Sequence, residues 1–364
     1  MNGTFTKYIL GITVLLFCSC IRSVTVPIRN VQPTLVVEGG ITTDPPPYSV
    51  NLSYSGKFTS AYQTNLDSQQ YIYDAKVTIE DDQGDSTSCI QTVNGTYLST
   101  DSNFVGTVGR TYTLKIYLSN GMVYLSKPEK ITPVPPIDSV TLVYDSTYIA
   151  EVRPAQIIVS INTHDPPDTT NYYRWTASGY VTRKSWGLPC GFGSPPCYNP
   201  YVCVCSAFCD QLIVGDQINI FSDQFSDGRE IIGQPVFYSP IYWYGYHYIE
   251  IKQNSISRQT YQFWEQYLAQ TNRTGSILDP LPASLIGNIY NQADSNNVAL
   301  GLFSASATYS KKIIIKPEFI QTYWLEVSAT FYIEMGSCQM VFPNTLPNDA
   351  VPQGWEDAEV INMN

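Results

Sequence analysis

Apolar and polar residues alternate along much of this chain with the two-residue period of a half-buried strand. Val50, Leu52 and Tyr54 fall on one face with Asn51 and Ser53 on the other, and Val77 and Ile79 flank Thr78 in the same way. The pattern predicts strands at 35–41, 48–54, 75–80, 86–92, 95–98, 111–117 and 123–125. Asp81-Asp82-Gln83-Gly84-Asp85 and Ser119-Asn120-Gly121 supply hairpin turns between them. Strands this short, at this spacing, predict an immunoglobulin-like β-sandwich over 34–132.

Pro128, Pro133, Pro135 and Pro136 then form a stiff connector, because each fixes its own φ and holds its predecessor extended. The predicted domain boundary lies there. The strand pattern resumes at 137–143, 157–161 and 172–176, which reads as the opening of a fibronectin-like sandwich spanning 133–364. A Cys/Pro/Gly-rich insertion, 185–210, interrupts it, and further strands are predicted at 217–221, 246–252, 299–305, 312–316 and 324–332. One helix is predicted, at about 256–271. Ser257 or Ser255 can cap it, and Tyr261, Trp264, Tyr267 and Leu268 share one face at helical spacing. The expected fold class is therefore mostly β: two β-sandwich domains, one helix and a Cys-rich loop insertion.

The N-terminus has a different pattern. Lys7 precedes an apolar run, Tyr8 to Phe17, too short to span a bilayer as a stable helix, and the run stops at Cys18-Ser19-Cys20. A basic start, a short apolar segment and a small residue before cysteine describe a cleaved lipoprotein export signal over 1–19. Ser19 suits cleavage before Cys20, whereas Phe17 would block cleavage before Cys18. Cys20 is the expected lipidation site, followed by a tether to residue 33. Ile21 in place of an aspartate favours the outer membrane, and the absence of an acidic run after it leaves periplasmic and cell-surface faces open.

Composition narrows the functional classes. The net charge of −11, with no block of Lys or Arg, argues against nucleic acid and against electrostatic attachment to anionic lipid. The 28 tyrosines and 24 prolines favour strands and turns over helices. Beyond Cys20 the cysteines are Cys89, Cys190, Cys197, Cys203, Cys205, Cys209 and Cys338. Outside the cytoplasm these are disulfide candidates, and their odd number leaves at least one free or paired with another chain.

Candidate chemistry is sparse. His164 and His247 are the two histidines, and neither has metal or triad spacing; no nucleophile elbow, zinc helix or phosphate-binding loop occurs. No catalytic residue, metal ligand or cofactor is nominated. The cluster Cys190, Cys197, Cys203, Cys205 and Cys209 lacks zinc-like pairs and suits disulfide stapling of a loop better. The acidic stretches 80–85 and 223–230 lack EF-hand ligand order and read as turns. The most suggestive binding feature is the aromatic segment 237–248. On an extended strand Tyr242, Tyr244, Tyr246 and Tyr248 would share one face, with Trp243 and His247 on the other. Such a ladder suits glycan, peptide or a partner protein, and Gly245 invites a bulge that would break it. The alternative is a strand packed beneath the Cys-rich loop.

A series of segments carries a resemblance: Leu35-Val36-Val37-Glu38-Gly39, Pro133-Val134-Pro135-Pro136-Ile137-Asp138-Ser139, Gly275 to Pro282, Gly287-Asn288-Ile289 and Ala299 to Ser306. In this order and spacing they resemble the domain of unknown function 4249 family of envelope lipoproteins, often encoded beside TonB-dependent receptors. The family usually ends with a further cysteine and a Pro-x-Phe-Trp-like tail. Here Asp349-Ala350 and Gly354-Trp355 stand in, which offers a reason for the odd cysteine count. The resemblance implies location and neighbourhood rather than chemistry. The expected function is a non-enzymatic outer-membrane lipoprotein, accessory to a TonB-dependent receptor in ligand capture or receptor support. The alternatives are a free-standing carbohydrate- or peptide-binding module and, less supported, an envelope hydrolase.

Overall fold

The computed structural model describes residues 33–55, 70–146, 155–189, 204–242, 245–272, 285–294, 296–318, 334–335, 342, 344–347 and 352–361, with 185–189, 204–207, 334–335 and 347 described by backbone alone. The signal segment, Cys20, the tether to residue 32, Cys190, Cys197, Cys203, Cys338, Trp243, Tyr244 and the strand predicted at 324–332 lie outside the described residues.

Seven early strands follow the alternation to within a residue or two: β1 (Leu35–Thr42), β2 (Ser49–Tyr54), β4 (Lys76–Asp81), β5 (Ser86–Gln91), β6 (Thr96–Ser99), β7 (Thr111–Tyr117) and β8 (Val123–Ser126); the two-residue strands β3 (Gln70–Tyr71) and β9 (Glu129–Lys130) were not predicted. Then come β10 (Ile137–Asp145), β11 (Gln156–His164), β12 (Tyr172–Pro189), β13 (Val204–Val214), β14 (Asn219–Ser222), β15 (Glu230–Pro240), β16 (His247–Ser255) and the helix α1 (Arg258–Thr271). The chain continues through β17 (Ile286–Asn291), β18 (Val298–Ser306), β19 (Thr308–Ile315), β20 (Glu334–Met335), β21 (Thr345–Pro347) and β22 (Glu359–Ile361). The mostly-β class holds.

The first unit is not an immunoglobulin-like sandwich. Its sheet closes into a 9-strand barrel in the order β1-β18-β17-β8-β7-β4-β5-β6-β2, with β2 returning to β1. The strands predicted within 34–132 leave β1 and β8 as edges with unpaired backbone groups. β18 pairs in parallel along β1 from Val36↔Leu300 to Thr42↔Ser306, and β17 pairs antiparallel to β8 at Ile289↔Ser126. Residues 286–306, assigned from sequence to the second domain, thus complete the first. Val37, Ile41, Val50, Leu52, Leu114 and Phe303 pack in one core from both parts of the chain.

The second unit has two sheets. One is β10-β11-β15; the other runs β21-β13-β12-β16-β19-β22, with β14 and β20 also on β12. Ile157, Val159 and Ile161 of the first share a core with Trp175, Ile249, Ile251 and Ile313 of the second. Part of the expected Cys-rich loop is strand: Arg183 opposes Cys209 and Ser185 opposes Ala207 in a β12–β13 hairpin. Backbone pairing continues there whatever the side chains are, so composition hid it.

The two units meet at a polar knot. Glu129, 2% exposed, accepts hydrogen bonds from Asn288 Nδ2 (3.1 Å) and Thr260 Oγ1 (3.4 Å), which tie β9, β17 and α1 together. Burial raises its carboxyl above the ordinary range, against the pull of its hydrogen-bonding partners. α1 begins where predicted, with the Ser257 hydroxyl accepting from the Thr260 N–H at 3.1 Å. The buried face differs from expectation: Thr260 and Phe263 point inward and Tyr267 is exposed. Trp264 is only half-buried, beneath the Arg174 guanidinium at 4.0 Å. The knot at Thr260 sets the rotation of the helix.

Candidate functional site

The described tyrosines of the predicted ladder do not share one strand. β15 ends at Pro240 and β16 starts at His247, so Tyr242 and Tyr246 lie outside the strands and Tyr248 within β16. Gly245 sits against Thr182, where a Cβ would lie 2.3 Å from the Thr182 hydroxyl. Tyr242 instead stacks on the Arg183 guanidinium, 3.3 Å from the ring centroid, and lines a cleft of about 240 Å³ with Ile213, Phe237 and Tyr238. Tyr246 is exposed and stacks on Tyr248 at 5.9 Å; Tyr248 is buried and packs edge-on against Trp355 at 5.7 Å. The predicted residues therefore divide between two places, one of them structural.

His247 lies with its Nδ1 2.6 Å from Ser239 Oγ, an approach that resembles a nucleophile and its base. Both side chains are 0% exposed, so no substrate reaches the hydroxyl. Burial pushes the imidazole down to about 3, far from the near-neutral value that suits a general base. His164 ends β11 between two carboxylates, Asp138 Oδ2 and Glu230 Oε1, each at 2.7 Å. The hydrogen bond to Asp138 foremost, and the charge of Glu230, raise its pKa. It clips β10, β11 and β15 together.

Among the disulfide candidates, Cys89 is a free thiol, 8% exposed in the barrel core, and burial pushes it up to about 11. Alkylation requires thiolate, so iodoacetamide is expected to spare Cys89 in the folded protein and modify it on unfolding; peptide mass spectrometry checks this. Cys209 is buried on β13.

The better binding geometry lies elsewhere, where α1 meets β12 and β14. Tyr172 and Tyr261 lie 5.1 Å apart, centroid to centroid, and form one wall of a cleft of about 250 Å³. Arg258, Gln262 and Glu265 of α1 supply hydrogen-bonding groups, and Phe225 stands at its lip. Phe225 is 91% exposed at the apex of the turn that follows β14. Flat apolar faces beside a few polar groups are what small-ligand sites share. Sequence reading passed over this site because its residues come from three separate elements. A lone Phe between Gln224 and Ser226, in a turn otherwise polar, is the signal that was present.

The same turn carries acidic groups. Asp223 and Asp227 flank Phe225, and Asp165 from the β11–β12 connection joins them, with one carboxylate oxygen from each within 4.8 Å of the other two. Asp165 is held by the Tyr173 hydroxyl (2.6 Å), the Gly228 N–H (3.0 Å) and Asn171 Nδ2 (3.3 Å). Asp227 Oδ2 accepts from the Asp168 N–H at 3.2 Å. Asp223 is 0% exposed, and neither of its carboxylate oxygens has a hydrogen-bond partner. Burial raises its carboxyl above the usual range; a weak hydrogen-bonding approach from the Asn171 backbone opposes this, while the charge and close carboxyl approach of Asp165 and the charge of Asp227 add to it.

No helix among the described residues is long and apolar enough to cross a membrane, which says nothing of strands. No curated protein matches the chain. The family model described as "Domain of unknown function (DUF4249)" matches residues 21–312. That span holds every strand of the barrel and both walls of the cleft, and the chain belongs to the domain of unknown function 4249 family.

Proposed function

We propose that this protein is a non-enzymatic outer-membrane lipoprotein, anchored through Cys20, that captures ligand as an accessory of a TonB-dependent receptor. The observation that carries the reading is Phe225, almost fully exposed at the lip of the Tyr172–Tyr261 cleft. An isolated phenylalanine held out to water gains about 1.5–3 kcal/mol when a partner covers it, so its position favours binding over folding. The family resemblance supports the envelope location and the receptor neighbourhood. Cys209 is disulfide-bonded, which supports an oxidising compartment outside the cytoplasm. The cleft's mixture of rings and amide or charged groups also favours the second reading, a free-standing glycan- or peptide-binding module.

Gentle detergent pull-down of the tagged protein from its own outer membrane separates the two. A stoichiometric TonB-dependent receptor is the expected co-purifying partner. Recovery of the lipoprotein alone, under conditions that preserve other receptor complexes, overturns the accessory role and leaves the free-standing module. Phe225→Ala is expected to lower partner recovery about tenfold or more. Its melting temperature should stay at the wild-type value, because an exposed ring contributes little to stability. Unchanged recovery would remove this cleft from the proposal.

A further inference from the structure

We infer that Asp165, Asp223 and Asp227 form a calcium site that fixes the 223–228 turn beneath Phe225. Three carboxylates from two distant segments converge within 4.8 Å, inside the roughly 5 Å that spans a calcium coordination sphere. All three offer hard oxygen donors, which suit calcium over zinc or copper. The second observation is Asp223 itself. It is 0% exposed, lies beside the other two carboxylates, and neither of its oxygens accepts a hydrogen bond of normal geometry from a protein donor. A buried, unpaired carboxylate is among the costliest groups a fold can hold. No Lys, Arg or His makes an ion pair with any of the three among the described residues.

The surroundings are arranged as support for a ligand. Tyr173, Gly228 and Asn171 orient Asp165 through donated hydrogen bonds, as outer groups orient metal-binding carboxylates. Asp227 is exposed, which opens the cluster to an entering ion and to the waters that complete a calcium shell. The turn lacks EF-hand spacing because its third carboxylate comes from the β11–β12 connection, 58 positions upstream of Asp223.

The test uses the full-length lipoprotein in detergent, stripped with EDTA, desalted and titrated with calcium chloride by calorimetry, alongside thermal unfolding. One calcium per chain is expected, at the roughly 0.1–1 mM affinity of extracellular modules, with 10 mM calcium raising Tm by several degrees. Magnesium, which demands a tighter octahedron, should bind more weakly. Asp227→Asn should keep the EDTA melting temperature, since its side chain is at the surface, and weaken calcium binding at least tenfold. Asp223→Asn should melt at or above wild type in EDTA and show no calcium shift. Absence of calcium heat and of a Tm shift in the wild type overturns the site, as does a calcium response that survives both variants. The site does not depend on ligand capture: Phe225→Ala should retain the full calcium response, so losing partner capture and losing calcium binding remain distinguishable.

Discussion

Gly301→Val is expected to prevent the barrel from closing. Gly301 holds φ +89 where β18 runs alongside β1, and a Cβ built there would lie 2.0 Å from the Val37 carbonyl oxygen. A left-handed backbone alone costs a side chain about 1–2 kcal/mol. The overlap with main chain adds far more, because the Val37 backbone lies inside paired strand β1 and cannot move without disturbing the seam. The combined loss should exceed about 5 kcal/mol, comparable with the whole stability of a typical domain, and appear as insoluble or unfolded protein. Gly84→Val is the control. Gly84 has φ +93 in the β4–β5 turn with nothing within 4 Å of a built Cβ, so only the backbone penalty applies. Melting curves by circular dichroism should place Gly84→Val a few degrees below wild type and Gly301→Val without a native transition. Equal melting of the two variants would show that the seam does not hold the barrel shut.

The second large effect concerns acid. The unfolded chain protonates its histidine near the ordinary value of about 6.5, whereas burial holds His247 down to about 3 in the fold. Between those values the unfolded state carries a proton that the native state lacks. The stability contributed by the neutral ring is whole above about pH 6.5 and is lost as pH falls toward 3, at up to about 1.4 kcal/mol per pH unit. The full loss is on the order of 5 kcal/mol by linkage. Glu129 and Asp210 run the other way, since burial raises their carboxyls, so a total pH profile mixes opposing slopes. The pair Ser239→Ala with His247→Phe isolates the ring, because both partners of the 2.6 Å contact become apolar together. Urea unfolding at pH 7.5, 6, 5 and 4 should show the double variant losing much less stability on acidification than wild type. Parallel profiles would assign the acid sensitivity to other groups.

These outcomes bear on what could be read from the amino-acid order. Strand positions from β1 to β8, the two-residue β3 apart, were legible because alternation is local: Tyr112, Leu114 and Ile116 face inward whatever β7 pairs with. The Ser257 cap was legible for the same reason, since a hydroxyl needs only the N–H three residues on. The rotation of α1 was not. Tyr261, Trp264 and Tyr267 looked like its apolar stripe, and Thr260 and Phe263 were buried instead, because a contact with Glu129 from another element decided which way the helix faces.

The binding surface followed the same division. Residues 237–248 announced aromatic content, yet the gap between β15 and β16 left Tyr242, Tyr246 and Tyr248 in different surroundings. The cleft at Tyr172, Tyr261 and Phe225, and the convergence of Asp165 with Asp223 and Asp227, join positions that no short window spans. By itself the amino-acid order determined that this chain is built of strands, where most of them lie, and where its one clear helix starts, because those depend on period and capping within a few residues. Only the tertiary structure decided that β17 and β18 close the barrel and that three aspartates share one corner. Those outcomes depend on which unpaired strand edges meet, and backbone N–H and C=O groups are the same in every sequence.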